Sequence, residues 1–337
     1  MRAYYKEGFV LLKNSQVGPV FIAPHSTTTL SPVMRGDAGC EFIAAMLTKR
    51  MGSLGIICTV PRAGRYGVDF FRKPADMDEA LEMFKAANNY KKRVLFEKKY
   101  AFYSQDQEEY LEKVNVHNHF WMAAETLAPK MPLYVIIHAQ AMRLKNFPSI
   151  LDVCTNDGKW FNESVVKEAV EKANKKNAER LARVKNHMKA YAVSWAGNWL
   201  RRSIGYRFKK FSLNAMQGTY RNDVKRDISN AARILGRNAA EMEKSLNWAK
   251  YEKMLEESIE ATQFRITYQK SFTGKRGDGN VKKMLEKTGG SAIMFETSAF
   301  LNEMYPKTSM KLIQDVIYYA SQKARWSNFE KFIGEAK

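Results

Sequence analysis

Short apolar runs alternate with helical patterns over the first 160 residues, and this alternation restricts the fold more than any other feature of the sequence. Buried strands are predicted for residues 19–23, 54–60, 133–137, 264–268 and 291–295. Helices are predicted for residues 37–51, 76–87, 106–127 and 310–333, where apolar residues recur at helical spacing. Strands separated by helices predict an α/β fold, a three-layer domain with helices on both faces of a mostly parallel mixed sheet.

Residues 161–261 differ from the rest of the chain because their pattern is entirely helical and strongly basic. Within them, residues 172–237 hold 17 Lys and Arg against three Asp and Glu, a net charge of +14, whereas the whole 337-residue chain carries +20. The sequence therefore predicts an α/β domain made of residues 1–160 and 262–337, interrupted by a basic helical insertion at residues 161–261. Such a charge favours a polyanionic partner or an acidic substrate.

Two interpretations of the insertion stay open. In the first, its helices form a lid or a contact within a homo-oligomer, and its aromatic residues are a small core. In the second, the insertion binds nucleic acid or another acidic polymer through cations interleaved with aromatic rings. The cations expected to act in the second case are Arg201, Arg202, Arg207, Lys209 and Lys210.

The sequence also argues against membrane and secreted classes of protein. No apolar run reaches the roughly 18 residues of a membrane span, and the first residues lack the apolar stretch of a secretory signal. The three cysteines are widely spaced, which favours reduced thiols over a disulfide framework. We therefore expect a cytoplasmic protein that does not bind membranes.

Residues of the acid–base and metal-ligand types stand at the ends of three predicted strands. His25 and His138 follow the first and the third strand, and Glu296 follows the last; the chain has only five histidines. In open α/β sheets, ligands bind beyond the carboxyl ends of the strands. Two imidazoles and a carboxylate can hold Zn²⁺ with one position open for water. The alternative for each histidine is a hydrogen-bonded loop residue.

Several arginines follow the second predicted strand directly, namely Arg62, Arg65 and Arg72. Because a guanidinium binds a carboxylate through two parallel hydrogen bonds, this segment favours a small substrate that carries a carboxylate. The alternative is a surface loop in which the arginines form ion pairs with residues such as Asp69.

The remaining candidate ligands favour structural roles. His117 and His119 are two positions apart in a predicted helix, where such a pair does not share a face. Cys40, Cys58 and Cys154 lie in apolar or helical surroundings, which predicts buried, unreactive thiols.

A series of short motifs follows in a fixed order along the chain: residues 24–27 (PHST), 35–41 (RGDAGCE), 62 with 68–72 (VDFFR), 116–120 (VHNHF), 136–139 (IIHA), and 274–279 followed by 295–298 (FETS). In order and spacing the set resembles the N-formylglutamate amidohydrolase family, relatives of the zinc carboxypeptidases and aspartoacylases. The resemblance covers about 160 N-terminal and 75 C-terminal residues. It departs from the family where PHSG is PHST, where DLNR is DFFR and where DLHS is IIHA.

The resemblance implies a zinc carboxypeptidase-like fold and a role for each matching residue. His25, Asp37 and His138 would bind one zinc ion per chain, with Glu41 as the alternate carboxylate ligand. Glu296 would be the general base that takes the proton of the attacking water and later delivers it to the leaving amine.

The arginines complete the implied mechanism. Arg72, with Arg62 and Arg65, would bind the substrate carboxylate, and Arg72 would also polarise the scissile carbonyl. The implied function is a zinc-dependent amidohydrolase that cleaves an amide bond of a small carboxylate-bearing acyl-amino acid or acidic peptide-like substrate. The competing hypothesis, left open by the DFFR and IIHA departures, is a nucleic-acid-binding protein that uses the basic insertion on a catalytically decayed hydrolase scaffold.

Overall fold

A computed structural model describes residues 1–15, 17–25, 36–62, 66–140, 143–195, 211–213, 216 and 218–323. Within these ranges the chain forms one eight-stranded sheet. Its strands are β1 (Arg2–Lys6), β2 (Phe9–Lys13), β3 (Val20–Ala23), β4 (Leu54–Cys58), β5 (Leu133–Gln140), β6 (Ser149–Cys154), β7 (Arg265–Tyr268) and β8 (Ser291–Ser298). The predicted α/β class is confirmed.

The strands lie in the order β1-β2-β4-β3-β5-β8-β6-β7. The four central strands β4, β3, β5 and β8 are parallel to one another. β2 is antiparallel to β4, and β6 is antiparallel to β8 but parallel to β7. The sheet is therefore mixed and mostly parallel, and the carboxyl ends of β3, β5 and β8 lie at the same edge.

Helices cover both faces of this sheet. They are α1 (Cys40–Met51), α2 (Met77–Lys85), α3 (Tyr90–Glu97), α4 (Gln107–Leu127), α5 (Glu163–Lys176), α6 (Ala178–Trp195), α7 (Gly218–Leu235), α8 (Ala239–Ser245), α9 (Trp248–Glu260), α10 (Asp278–Thr288), α11 (Ala299–Met304) and α12 (Pro306–Lys323). Two large hydrophobic cores form against the sheet, one with α1, α5 and α12 and the other with α4 and α10, and a third, smaller cluster forms around α2 and α3.

Alternate residues of the central strands enter different cores. In β5, Val135 and Ile137 pack with the core of α1 and α12, whereas Tyr134 and Ile136 pack with the core of α4 and α10. Successive side chains of a strand point to opposite faces, so a strand buried on both faces must be apolar at every position. This explains why these strands are continuous apolar runs in the sequence.

The strands that carry the site are longer than predicted. β5 and β8 continue past the apolar runs to Gln140 and Ser298, and His138 pairs with Glu296 inside them. The two residues therefore lie within paired strands, because the polar extensions hydrogen-bond to each other. The sequence pattern also missed the hairpin β1–β2, strand β6 and helix α3, whose short segments lack a clear period.

Between β6 and β7 the regular elements of the described residues are all helices, α5 to α9. Helix α5 packs on β7 and α12, so it belongs to the layer that covers the sheet. Helix α7 is tied to the segment after β5 by an ion pair between Arg143 and Asp223. The division into a domain and an insertion stays a prediction.

Two further expectations concern the chain as a whole. Among the described helices, none combines the length and the apolar composition needed to cross a membrane. All three cysteines are buried and unbridged, as predicted. Burial raises the pKa of the Cys40 and Cys154 thiols well above its ordinary value, which keeps them protonated.

Candidate functional site

A cavity of about 760 Å³ opens at the sheet edge where β3, β5 and β8 end. It is the place where the predicted site residues meet, although they come from distant parts of the chain. The predicted residues that line it are His25, Asp37, Arg62, Arg72, His138 and Glu296. Arg65 and the five cations expected to bind a polyanion lie outside the described residues.

Two histidines and one carboxylate converge at the base of this cavity. Oδ2 of Asp37 lies 3.1 Å from Nδ1 of His25 and 2.8 Å from Nδ1 of His138. The ligand-type atoms of the three buried residues all lie within 4.8 Å of one another, so this group could hold a metal ion. Glu41, in the first turn of α1, is not a member of the group.

Two of the three separations between these ligand-type atoms are close to those found around a small divalent ion. Bonds of about 2.0–2.1 Å to a tetrahedral zinc ion place the ligand atoms roughly 3.3 Å apart. The two measured separations are a few tenths of an ångström shorter, because here the atoms hydrogen-bond directly to one another. The donor set of two imidazoles and a carboxylate is also found with other divalent ions, so it does not identify the metal.

Asp69 connects the metal-type group to both arginines, and Arg62 also donates directly from Nη1 to Oδ1 of Asp37 at 2.9 Å. It is fully buried, and its Oδ1 lies 2.7 Å from Nε2 of His25. Its Oδ2 accepts hydrogen bonds from Nε of Arg62 at 3.2 Å and Nε of Arg72 at 2.8 Å. With an ion on Nδ1, Nε2–H of His25 would donate a hydrogen bond to Asp69, the arrangement that orients a ligand histidine. The predicted ion pairs exist, but they are buried rather than on a surface loop.

The charges around the two aspartates keep both ionised. Burial alone raises the pKa of Asp37, but the charges of His25 and Arg62, with hydrogen bonds from both histidines, outweigh it and hold the pKa below its ordinary value. The same holds for Asp69, where His25, Arg62 and Arg72 outweigh the effect of burial. Both carboxylates are therefore available as acceptors or ligands at neutral pH.

The imidazole of His138 is held by fewer hydrogen bonds than that of His25. Its Nδ1 faces Asp37, but its buried Nε2 has no hydrogen-bond partner among the described residues. The aspartate of a DLHS motif, two positions before this histidine, is replaced by Ile136 here, so that position supplies no carboxylate. Phe71 packs edge-on against the imidazole at 4.6 Å instead and shields it from one side.

Glu296 faces the same cavity from the neighbouring strand. Directly paired residues of adjacent strands place their side chains on the same face, so Glu296 lies beside His138. Burial raises the pKa of Glu296 to about 7, with a further contribution from Asp37, while His138 and Arg62 oppose the rise. A carboxyl that changes protonation near neutral pH is suited to proton transfer.

Asp152, on β6, holds the opposite wall of the cavity and was not identified from the sequence. Its carboxylate accepts hydrogen bonds from the backbone N–H groups of Lys270, Ser271 and Phe272. These residues follow β7 and line the cavity. Asp152 therefore fixes the loop that places Lys270 at the mouth of the site.

Two more side chains hold loops of the site in place, and the sequence did not predict their contacts. The side-chain amide of Asn302 donates to the carbonyl of Ala38 and so anchors the loop that carries Asp37. On α4, His117 Nε2 lies 2.8 Å from the carbonyl of Arg72. The structural role predicted for His117 is confirmed, since this contact holds the segment that bears Asp69 and Arg72.

Gly277 allows Phe71 to pack against the histidines. A Cβ atom added at Gly277 would lie 2.0 Å from the Phe71 ring, far inside contact distance. We expect Gly277→Ala to push Phe71 toward His138 and to lower the free energy of unfolding by about 1–3 kcal/mol. Urea denaturation of the metal-free protein measures this loss.

The matched control for that substitution is Gly279→Ala, two residues further along. A Cβ atom at Gly279 meets nothing within 4 Å, and alanine favours the helix more than glycine does. This variant is expected to be at least as stable as the parent protein. Equal stability of the two variants would contradict the packing role of Gly277.

Comparison of the chain with protein-family models, with curated proteins and with solved structures finds no match.

Proposed function

We propose that this protein is a zinc-dependent amidohydrolase with a carboxypeptidase-like catalytic domain, similar to the N-formylglutamate amidohydrolase family. The observation that carries the proposal is the buried group of His25, Asp37 and His138 at the base of a cavity that Glu296 also faces. The motif resemblance supports the same assignment, because its matching residues are the ones that converge.

The donor set fits one divalent ion in the proposed site. His25 and His138 would each contribute Nδ1, and Asp37 would contribute Oδ2, since these atoms already face one another. Asp69 would orient His25 through Nε2. When bound, the ion supplies a Lewis acid for the carbonyl and lowers the pKa of water toward neutrality.

In the proposed reaction, Glu296 moves the protons. As a carboxylate it accepts a proton from the water that attacks the amide carbon. It then delivers this proton to the nitrogen of the breaking C–N bond, so that the amine leaves neutral and Glu296 returns to its starting state. The raised pKa of Glu296 supports both steps at neutral pH.

The cavity walls support a substrate that carries a carboxylate. Arg62 and Arg72 line the cavity, with their Nε atoms directed to Asp69. Lys145 and Lys270 are exposed at the same cavity and have no ion pair to a described acidic residue. These two ammonium groups, together with Arg72, are the proposed anchors for the substrate carboxylate.

The proposal is tested by amine release from a panel of N-formyl and N-acetyl amino acids, with and without added zinc. We expect turnover that requires metal and favours acidic amino acids. Glu296→Gln is expected to retain the metal and to lower kcat by about 10²–10⁴-fold, because the proton acceptor is lost.

Glu286→Gln, an exposed glutamate on α10, is the matched control and is expected to leave kcat unchanged. Amine release that is independent of metal, or a Glu296→Gln variant as active as the parent, would overturn the mechanism.

The alternative of nucleic-acid binding through Arg201, Arg202, Arg207, Lys209 and Lys210 stays a prediction. These residues are outside the described part of the chain, so no contact favours or opposes it.

A further inference from the structure

A second cavity, of about 590 Å³, lies where α6, the end of α1 and the start of α12 meet. It shares no lining residue with the site above. Arg50 lies in the last turn of α1, whereas Asp37 lies just before the first turn of the same helix. A helix of 12 residues is roughly 18 Å long, so α1 separates the two cavities by about this length. The two cavities are therefore distinct.

Five of the nine residues that line this cavity are arginine or lysine. Arg50, Arg180, Arg183, Lys307 and Lys311 contribute to it, and its lining contains no carboxylate. Lys311 forms an ion pair with Asp315, whereas the other four make no salt bridge to any described acidic residue. Elsewhere on the chain basic side chains do find partners, as in the pairs Arg237–Glu257 and Lys189–Glu260.

Four unpaired cations around one concave surface repel one another, so the arrangement favours a ligand that brings negative charge. Lys307 and Thr308 stand in the first turn of the 18-residue helix α12, where the helix dipole adds to the positive potential. Arginine is suited to phosphate because its planar guanidinium donates two parallel hydrogen bonds. The positive charge, the guanidinium groups and the start of α12 therefore all favour a ligand that carries phosphate.

An aromatic surface borders the cations. The rings of His187 and Tyr305 are stacked, 5.6 Å apart and 9° from parallel, and both line the cavity. The His187 side chain is exposed, so its outer face is open to a planar group. A nucleobase fits this position beside phosphate-binding arginines.

From these features we infer that the second cavity binds the phosphate groups of a nucleotide the size of a nucleoside diphosphate, through Arg50, Arg180, Arg183 and Lys307. The same phosphates are present in free nucleotides and in nucleic-acid strands. The inference is independent of the proposed hydrolase, because none of these residues belongs to that site.

The test is isothermal titration calorimetry with ADP, inorganic pyrophosphate and a short single-stranded oligonucleotide, at low and at physiological salt. We expect ADP and pyrophosphate to bind, more weakly at higher salt. Arg180→Ala/Arg183→Ala should lower the ADP affinity at least about tenfold. Arg50→Ala/Lys307→Ala, on the other side of the cavity, should do the same and guards against a folding defect in the first variant.

Lys167→Ala/Lys172→Ala on α5 removes the same charge from exposed positions outside the cavity and should leave the affinity unchanged. Binding of the oligonucleotide that is lost in the same two cavity variants would identify a strand as a second source of the phosphates. No binding of ADP and pyrophosphate, or equal binding by cavity and control variants, would overturn the inference.

Discussion

A His25→Ala/His138→Ala double variant is expected to bind no divalent metal, whereas the parent protein is expected to bind one ion per chain. The reason is the number of ligands that remain. Both Nδ1 atoms that face Oδ2 of Asp37 are removed, and a single carboxylate competes poorly with the hydration of the ion.

Metal content after purification and calorimetric titration with zinc measure this loss. His119→Ala is the matched control, because His119 is exposed on α4 and lies outside the metal-type group. It should bind metal like the parent. A double variant that still binds one ion with the parent's affinity would mean that the metal-type group is not the binding site.

The second large effect is expected for Asp69→Asn. This change keeps the size of the side chain but removes the buried charge that faces His25, Arg62 and Arg72. Removing one partner from a buried ion pair leaves an uncompensated charge, which costs about 3–5 kcal/mol of the free energy of unfolding. Metal affinity should also fall by about 10–100-fold, since Asp69 no longer orients His25 as a carboxylate does.

Urea unfolding of the metal-free variant at neutral pH tests the stability effect apart from the metal effect. Asp106→Asn is the matched control, because Asp106 is exposed at the start of α4 and asparagine caps a helix equally well. It should leave the unfolding midpoint in place. A midpoint for Asp69→Asn that matches this control would show that Asp69 does not carry the ion-pair network.

Much of the metal-type group could be predicted from the sequence, for a physical reason. In a parallel sheet the carboxyl ends of the strands share one edge, so a polar residue at the end of an apolar run is directed to the same place as its counterparts. His25, His138 and Glu296 were found in this way. Asp37 is 101 residues from His138, and only the motif resemblance suggested the two together.

The residues that hold the loops of the site in place could not be predicted, because the sequence around each of them contains no pattern that indicates this role. Asp152 stands in a short strand whose direction is reversed, and its partners are 118 to 120 residues away. Asn302 reaches Ala38 across 264 residues. Contacts of this kind depend on strand order and helix packing, which a local hydrophobic pattern does not record.

The arginines also show the difference between what the sequence predicts and what the tertiary contacts decide. Their position after a strand indicated that they belong to the site, but the pattern left open whether they bind substrate or pair with Asp69. The structure directs Nε of both Arg62 and Arg72 to the buried Asp69, so at least part of each guanidinium holds the site together. The proposed anchors for a substrate carboxylate therefore include Lys145 and Lys270, which no motif singled out.

The sequence by itself determined the α/β class, the two-sided burial of the central strands and the chemical types of residue at their ends. Each of these follows from the order of apolar and polar side chains along the chain, because apolar side chains are buried away from water. This order is a local property of the sequence. The tertiary structure decided that Asp37 joins the two histidines, that Glu41 does not, and that Asp69 links His25 to two guanidinium groups. These outcomes depend on the register of β5 and β8 and on how the loops pack, and both are set by contacts between residues far apart in sequence.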